Sequence, residues 1–556
     1  MKKYIFIVGG VMSGIGKGVC SSSLGKILQS RGFEVTAVKI DPYINVDAGT
    51  MNPTEHGEVF VLNDGMECDQ DMGNYERFLD RDLSRKNYMT TGSIYQAVIN
   101  RERNLEYSGR CVEVIPHIPL EVLIRIDKVF AKNKTDIVIV EIGGTVGEYQ
   151  NILFLETIRM LKIKKPKDVI LALVSYLPLP NNENELKTKP TQYAVRTLNS
   201  TGLQPDIILA RASTVLDKKR KQKIMFNCGL REEEVISVPD VESIYEAPLV
   251  LEKQKLSSLI LKKLNLRARK TNLDDFKKMV KNIKNARKIV NIGIVGKYFN
   301  SGEFILADSY LSVIEAVKHA SYYFKFKPKI DWLDCKEYET NPEKLKELLK
   351  YDGIIVPGGF GGRGINGKIK VIQYCRQKKI PFLGLCYGMQ LAVIEFSRSV
   401  LGLKKANSTE IDSSTPYPVI DILPDQKINL AEKKYGGTMR LGAYNTMVKK
   451  STIAYSAYKS FLISERHRHR YEINSLYVQK LEKKGMIFSG VSPDGLLMEI
   501  MELPKKIHPF FVGTQFHPEF KSRPLNPHPL FKEFIKRCAD YKKQKVIASP
   551  IKIGVK

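Results

Sequence analysis

No Cys-x-x-Cys pair occurs in the 556-residue chain, although it holds eight cysteines (Cys20, Cys68, Cys111, Cys228, Cys335, Cys375, Cys386 and Cys538). Without paired spacing neither a disulfide framework nor a zinc site is expected, and a reducing cytoplasm fits best. Long apolar runs are missing too. "MKKYIFIVGGVMSG" carries only about five apolar residues before a glycine loop, too few for a secretory signal. The longest stretch, "DVILALVSYLPLP", has the length of a buried strand, so no membrane partner is expected. Acidic residues are in deficit: 60 against 88 Lys and Arg, a formal net charge of +28. Such a field can gather polyanions. The lysines, however, are scattered ("KIKKPKD", "KKRKQK", "YKKQK") and never interleave with stacking aromatics, so no nucleic acid is expected as the main partner.

What the chain does have is a repeated α/β rhythm. Its length exceeds one ordinary domain. In the first half "YIFIVGG", "EVTAVKID", "DIVIVEIGG", "DVILALVSY" and "PDIILARAS" are continuous apolar runs, which suit strands covered on both faces. A Lys-rich helical stretch, "LKKLNLRARKTNLDDFKKMVKNIKNARK", interrupts them. The rhythm then restarts with "IVNIGIVGKY", "DGIIVPGGFGG" and "IPFLGLCYG". The fold class is α/β, with two domains of mostly parallel sheet. The expected division is 1–266, a helical linker at 267–289, a second domain at 290–545 and a tail at 546–556.

"YIFIVGGVMSGIGKGVCSSSLGKILQSRG" reads as strand, glycine loop, lysine and helix. Small residues let backbone N–H groups approach phosphate oxygens, the helix N-terminus adds partial positive charge, and Lys17 adds a point charge. The spacing departs from a standard phosphate loop. Val11 stands where its first glycine would fall, and Gly18 replaces the hydroxyl residue that touches Mg²⁺. Carboxylates must therefore hold a metal: Glu141 at the end of a strand, or Glu67, Asp69 and Asp71 in "ECDQDMGNYERF".

Cys386 in "GLCYGMQ" lies between a strand and a helix, where the helix N-terminus favours thiolate. "IIVPGGFGG" offers backbone N–H groups for half of an oxyanion hole, and Tyr387 N–H the other half. His517 in "FHPEF" supplies a base and Glu519 an orienting carboxylate, the logic of a nucleophile–base–orienter triad. Phosphate chemistry, joined to the ammonia release that a resemblance of these motifs to class I glutamine amidotransferases implies, suggests a composite reaction in one chain. ATP would convert a carbonyl oxygen into a leaving group, and ammonia would displace it.

"PGGFG", "GLCYGMQ" and "FHPEF" resemble class I glutamine amidotransferases. "GGVMSGIGKG", "KIDPYINVDAGTMNPTEHGEVFV", "VEIGGTVGE", "KTKPTQ", "KANSTE", "GGTMRLG" and "ERHRHRYE" together resemble the CTP synthase family across nearly the whole chain. The resemblance implies a P-loop-like, dethiobiotin-synthetase-like N-terminal synthetase domain and a C-terminal class I glutaminase domain. It implies amination of UTP to CTP with ATP, Mg²⁺ and glutamine, GTP activation, CTP feedback inhibition and a homotetramer. Matching positions assign Gly14, Ile15, Gly16, Lys17, Gly18, Val19, Asp71, Pro239, Asp240 and Val241 to ATP, and Asp71 and Glu141 to Mg²⁺. Lys39 is a further candidate for phosphate charge. Ser13, Glu148, Tyr149, Gln150, Lys187, Thr188, Lys189, Pro190, Thr191, Gln192 and Lys223 fall to UTP or CTP. Gly359, Tyr387, Gly388, Met389, Gln390, Glu410 and Arg470 fall to glutamine, with Cys386, His517 and Glu519 catalytic. His467 and His469 either touch ligand or simply orient their loop.

Two departures stand out. Where the family shows G-D-I-E-S, this chain reads Gly147-Glu148-Tyr149-Gln150-Asn151, which implies weaker CTP feedback. Gly362 replaces a common aromatic in the glycine stretch, where Arg363 is the candidate for coupling GTP to lid closure. Rival readings are another ammonia-using ATP ligase, such as a cobyrinic acid diamide synthase-like enzyme, a catalytically dead homologue and a basic nucleic-acid binder.

Overall fold

The apolar runs without alternation become central strands, buried along their length, as parallel sheets require. The structure, a computed structural model, describes residues 2–130, 135–181, 185–296, 307–359, 364–432 and 435–548. It divides into two units that do not follow chain order: Met1–Ala48 with Asp71–Val280, and Gly49–Gln70 with Lys281–Lys556.

In the first unit seven strands lie in the spatial order Tyr88–Thr90, Val35–Asp41, Ile137–Ile142, Lys3–Gly10, Val169–Tyr176, Ile207–Ala212 and Val235–Pro239. Every neighbouring pair is parallel. Lys3–Gly10 is central and wholly buried. Strands are added first on one side of it and later on the other. This makes a topological switch, where α/β sheets place ligands at the strands' carboxyl ends. At that end Val146 N–H donates to Gly9 O at 2.7 Å. A Cβ on Gly10 would come within 2.6 Å of Ala194 Cβ, in the helix Lys189–Ser200.

The second unit holds a nine-stranded sheet in the order Phe326–Asp334, Lys288–Gly296, Gly353–Val356, Phe382–Leu385, Phe511–Thr514, Met498–Glu502, Ile487–Val491, Arg440–Val448 and Leu462–His469. The first five strands are mutually parallel. The remaining joints are antiparallel. The α/β expectation thus holds, with an antiparallel half added to this sheet.

The boundaries differ from the expected division. Residues 49–70 fold into the second unit because polar anchors fix them there. Ser312 N–H donates to both oxygens of Glu58 at 3.1 Å, Arg466 Nε donates to Asn63 Oδ1 at 2.6 Å, and Phe60 packs edge-on against Phe520 at 4.9 Å. The expected linker is helical only over Asp274–Asn285. Before that helix, Arg269 N–H and Asn272 N–H donate to Arg31 O and Ser30 O at 2.9 and 3.1 Å, tying this stretch to the first unit. The helix Pro529–Ala548 runs into the expected tail, whose remaining residues lie outside those described. No described helix is long and apolar enough to cross a membrane.

The tight joint at Gly10 is testable. Gly10→Ala should lower stability by about 1–3 kcal/mol, because overpacking forces backbone shifts. Gly436→Ala, whose Cβ would meet only Thr50 Cγ2 at 3.5 Å, should stay within about 0.5 kcal/mol of wild type. Urea unfolding followed by fluorescence reads both.

Candidate active site

In the first unit the strand Lys3–Gly10 ends in the glycine loop, and the helix Lys17–Ser30 begins after Gly16. Gly14 and Gly16 take positive φ, 71° and 84°, which lets the loop fold tightly before the helix N-terminus. Lys17 is 8% exposed and donates from Nζ to Gly144 O at 2.7 Å. Burial pushes its ammonium pKa down, with Glu141 opposing. Gly18 is explained by its neighbour: an added Cβ would lie 1.9 Å from Asp71 Oδ1. The missing hydroxyl residue of the loop is replaced by the space this carboxylate needs.

Lys39 Nζ bridges Asp71 Oδ2 and Glu141 Oε1, the latter at 3.0 Å, and lies 3.9 Å from Asp41 Oδ1. Glu141 also accepts from Ser21 Oγ at 2.7 Å and from Tyr75 OH at 2.5 Å. Burial opposes ionisation of Asp71, but the Lys39 ammonium outweighs it and holds the carboxyl below its usual range. Of the three acids in "ECDQD", Asp71 is the one matched to the metal site and hydrogen-bonded by Lys39. Glu67 and Asp69 form a strand of the second unit, and Glu67 accepts from Arg468 Nε at 2.8 Å.

Beside the loop a cavity of about 170 Å³ is lined by Gly16, Val19, Cys20, Arg211, Pro239, Asp240 and Val241, among others. Arg211 was not foreseen from the sequence. Its Nε donates to Ile15 O at 3.2 Å and its Nη2 to Asp240 Oδ1 at 2.8 Å, joining the loop to that wall. Only its position at the end of the run "PDIILARAS" could have hinted at this.

The residues matched to UTP or CTP are distributed around the same carboxyl ends. Ser13 is exposed in the loop, and Lys187 and Thr188 precede the helix Lys189–Ser200, which carries Pro190, Thr191 and Gln192. Ser175 Oγ donates to Thr191 Oγ1 at 2.9 Å. Lys223 is exposed on the helix Lys218–Cys228. Glu148 turns inward, accepting from Thr145 N–H at 2.8 Å and Thr145 Oγ1 at 2.7 Å, and Gln150 Nε2 donates to its other oxygen at 2.8 Å. Burial raises the Glu148 pKa, but these hydrogen bonds win and lower it. Tyr149 is 92% exposed.

In the second unit Cys386 sits between the strand Phe382–Leu385 and the helix Tyr387–Ser399, with φ 49° and ψ −101°. A non-glycine residue in this region is strained, which surrounding packing must hold in place. Cys386 N–H donates to Thr514 O at 2.6 Å. His517 Nδ1 lies 2.7 Å from Glu519 Oε1. Cysteine and histidine both border Gly358, where a Cβ would lie 2.9 Å from His517 Cε1 and 3.8 Å from Cys386 Cβ. Burial pulls the His517 pKa down, but the charges of Glu519 and Cys386 prevail and raise it to about 10. The two side chains stand together as a nucleophile and its base would.

A cavity of about 650 Å³ brings Cys386, His517, Glu519, Gly359, Glu410 and Arg470 together. Arg470 is fixed by Gln426 Oε1 at 2.6 Å, Thr438 Oγ1 at 3.0 Å and Tyr435 O at 2.6 Å. Tyr387, Gly388, Met389 and Gln390 form the first turn of the elbow helix and are buried; Gln390 Nε2 donates to Tyr471 O at 2.8 Å. Met389 belongs to the apolar core behind the wall. The cavity is also lined by Gly49, Thr50, Met51, Pro53, Glu58 and Val59. Sequence reasoning gave that segment no role here, since nothing local marks its distant partners. Gly362 and Arg363 lie outside the described residues.

His467 and His469 are wholly buried, with Nδ1 of one 3.0 Å from Nε2 of the other. Burial holds both pKa values well down. Arg440 donates to Glu472 at 3.1 Å and to Glu499 at 2.8 Å in the same cluster. Neither histidine is among the residues lining the cavity. This arrangement favours the orienting reading.

Residues 3–266 match the family described as CTP synthase N-terminus, and residues 305–537 match glutamine amidotransferase class-I. A curated protein named CTP synthase from Caldanaerobacter subterraneus subsp. tengcongensis is 51% identical over 544 residues, covering 98% of this chain and 99% of that one. Another CTP synthase, from Pyrococcus furiosus, is 51% identical over 547 residues, covering 98% and 99%. Among solved structures, the glutaminase domain of Trypanosoma brucei CTPS with bound acivicin is 38% identical, covering 45% of this chain and 94% of that one with a TM-score of 0.41.

The raised His517 pKa has a definite pH signature. The ring titrates near 10 in the folded chain against an ordinary 6.5. Stability from its charge is therefore complete below about pH 6.5 and lost as pH rises through about 10. Glu519→Gln removes the largest raising partner, so the ring should titrate at lower pH. With eight histidines in the chain, NMR titration of ring C–H signals is tractable. A wild-type His517 signal titrating near 6.5 would contradict this.

Proposed function

The chain belongs to the CTP synthase family and is a glutamine-dependent ligase, and from that premise we propose that it aminates UTP at C4 with ammonia released at Cys386. The observation that carries the reading is the cavity that unites a strained cysteine, a histidine–carboxylate pair, Glu410 and Arg470. Glutamine's α-carboxylate suits the Arg470 guanidinium and its α-ammonium suits Glu410. Its amide carbonyl then faces the Cys386 thiolate. Attack forms a tetrahedral oxyanion, which the N–H groups of Gly359 and Tyr387 stabilise. His517 gives a proton to the departing ammonia, leaving a thioester, and then activates the water that hydrolyses it to glutamate. Glu519 keeps the ring oriented and supports its positive charge.

In the first unit the glycine loop and Lys17 hold ATP phosphates, and the cavity by Pro239, Asp240 and Val241 takes the base. Asp71 and Glu141 fit Mg²⁺: they are hard oxygen donors already gathered around one positive charge, the Lys39 ammonium. An Mg²⁺ ion held by these two carboxylates would offset the negative charge of the phosphates. Lys17 and Lys39 draw negative charge toward the γ-phosphoryl group as it moves to the uracil 4-oxygen. Ammonia channelled from the glutaminase site displaces the phosphorylated oxygen. Mg²⁺, GTP activation, CTP feedback, the homotetramer and the cytoplasmic setting come with this reading, as the family resemblance implies.

Cys386→Ala should lower glutamine-dependent CTP formation at least about 10³-fold, the scale of losing a nucleophile. Synthesis from ammonium salt should stay within about twofold of wild type. Lys17→Ala should lower both by about 10²-fold or more, as expected for a lost phosphate contact. Absorbance assays of CTP with either nitrogen source check this; loss of both in folded Cys386→Ala contradicts the two-site reading.

Feedback is the second test. Glu148 spends its carboxylate on Thr145, and Gln150 is neutral. The CTP concentration for half-inhibition should exceed that of the Pyrococcus furiosus relative, and Glu148→Asp with Gln150→Glu should lower it. Equal titrations for the two proteins would contradict the expectation.

A further inference from the structure

At the edge of the first unit's sheet lies a second cavity, of about 380 Å³, lined by none of the residues assigned above. The strand Tyr88–Thr90 and the helices Thr91–Arg103 and Val114–Phe130 form its walls. Five cations line it, Arg85, Lys86, Arg101, Arg125 and Lys128, against one carboxylate, Glu121. The volume falls in the range of small-molecule sites, about 300–1,000 Å³.

The basic groups are organised. Glu121 is 4% exposed and accepts from Arg101 Nη2 at 2.5 Å and from Arg125 Nε at 2.7 Å. Arg125 is fixed further by Ser93, to Oγ at 3.0 Å and to the backbone oxygen at 2.8 Å. One buried acid thus sets two guanidiniums and still leaves a large positive excess. Arg101 Nε is buried without any hydrogen-bond acceptor. Guanidiniums and ammoniums gathered in one cavity call for an anion with several acceptor oxygens, and guanidinium forks match phosphoryl groups best. The floor is Tyr88 and Met89, 3% and 1% exposed. Tyr88 OH donates to Asp41 Oδ2 at 2.9 Å. Anything resting on Tyr88 is therefore one hydrogen bond from the acid beside Lys39.

We propose that this cavity binds a phosphorylated small molecule carrying at least two negative charges, at a site separate from the glycine loop. Its cationic lining, with the guanidiniums that Glu121 sets in place, is the recognition element.

Lysine-acetylation footprinting of the full chain, read by peptide mass spectrometry, resolves this site from the others. Inorganic pyrophosphate is the probe, and sodium chloride of equal ionic strength is the control. With pyrophosphate at about four times its Kd, acetylation of Lys86 and Lys128 should slow about fivefold, following mass action. Exposed Lys484 should react unchanged. Arg101→Ala should abolish the protection. Lys128→Glu, at an exposed position that folding tolerates, should weaken protection of Lys86. The proposal is overturned if Lys86 and Lys128 stay equally reactive with pyrophosphate, if sodium chloride protects them equally, or if they are unreactive without pyrophosphate because another chain covers them.

Discussion

Parallel strands that feed helices leave backbone N–H groups and helix N-termini together at one edge of the sheet, and both units place their candidate sites there. In the first, the strand Lys3–Gly10 turns through a glycine loop into Lys17–Ser30, an arrangement that collects anions. In the second, Phe382–Leu385 turns within one residue, so Cys386 itself absorbs the strain at φ 49°. A long glycine loop leaves room for phosphates. A one-residue elbow leaves a nucleophile standing at a helix end. On the reading proposed above, the same geometric constraint serves binding in one unit and bond-making in the other.

Buried charge sets how rigid these sites are. Lys39 and Glu141 have side chains 5% and 1% exposed, so each depends on its partner. Removing one partner of such a pair leaves an uncompensated charge, at about 3–5 kcal/mol. The cluster therefore stays assembled without nucleotide, and Gly18 exists to admit Asp71. Behind the glutaminase cavity, Glu472 and Glu499 share Arg440. Burial, together with the charge of Glu499, raises the Glu472 pKa strongly, and burial raises that of Glu499.

Features encoded by short-range pattern were legible in the sequence. The glycine loop, the cysteine elbow and the His-Pro-Glu turn each announce themselves within a few residues; the first two occupy the expected strand–helix junctions, and the third follows the strand Phe511–Thr514. The parallel strands were legible as uniform apolar runs. The antiparallel strands Arg440–Val448 and Leu462–His469 were not, because the buried positions of the first include Gly442 and Thr446 and those of the second Glu465, Arg466, His467 and His469. Arg466 finds Asn63, and Arg440 finds Glu472 and Glu499, all far away in sequence. The segment 49–70 was hidden for the same reason: Glu58 finds Ser312, and Asn63 finds Arg466. Arg211 joins a loop and a strand end across nearly the whole first unit. Long-range polar pairing leaves no local periodicity to read.

The central claim is that nitrogen freed at Cys386 is the nitrogen installed on the pyrimidine. Glutamine labelled with ¹⁵N in its amide, supplied with ATP, UTP and an excess of unlabelled ammonium, tests it most directly. Mass spectrometry of the CTP formed should show the label retained well above its share of the total ammonia. Label diluted to the bulk ratio would mean that ammonia equilibrates with solvent before it reacts, and would contradict the account.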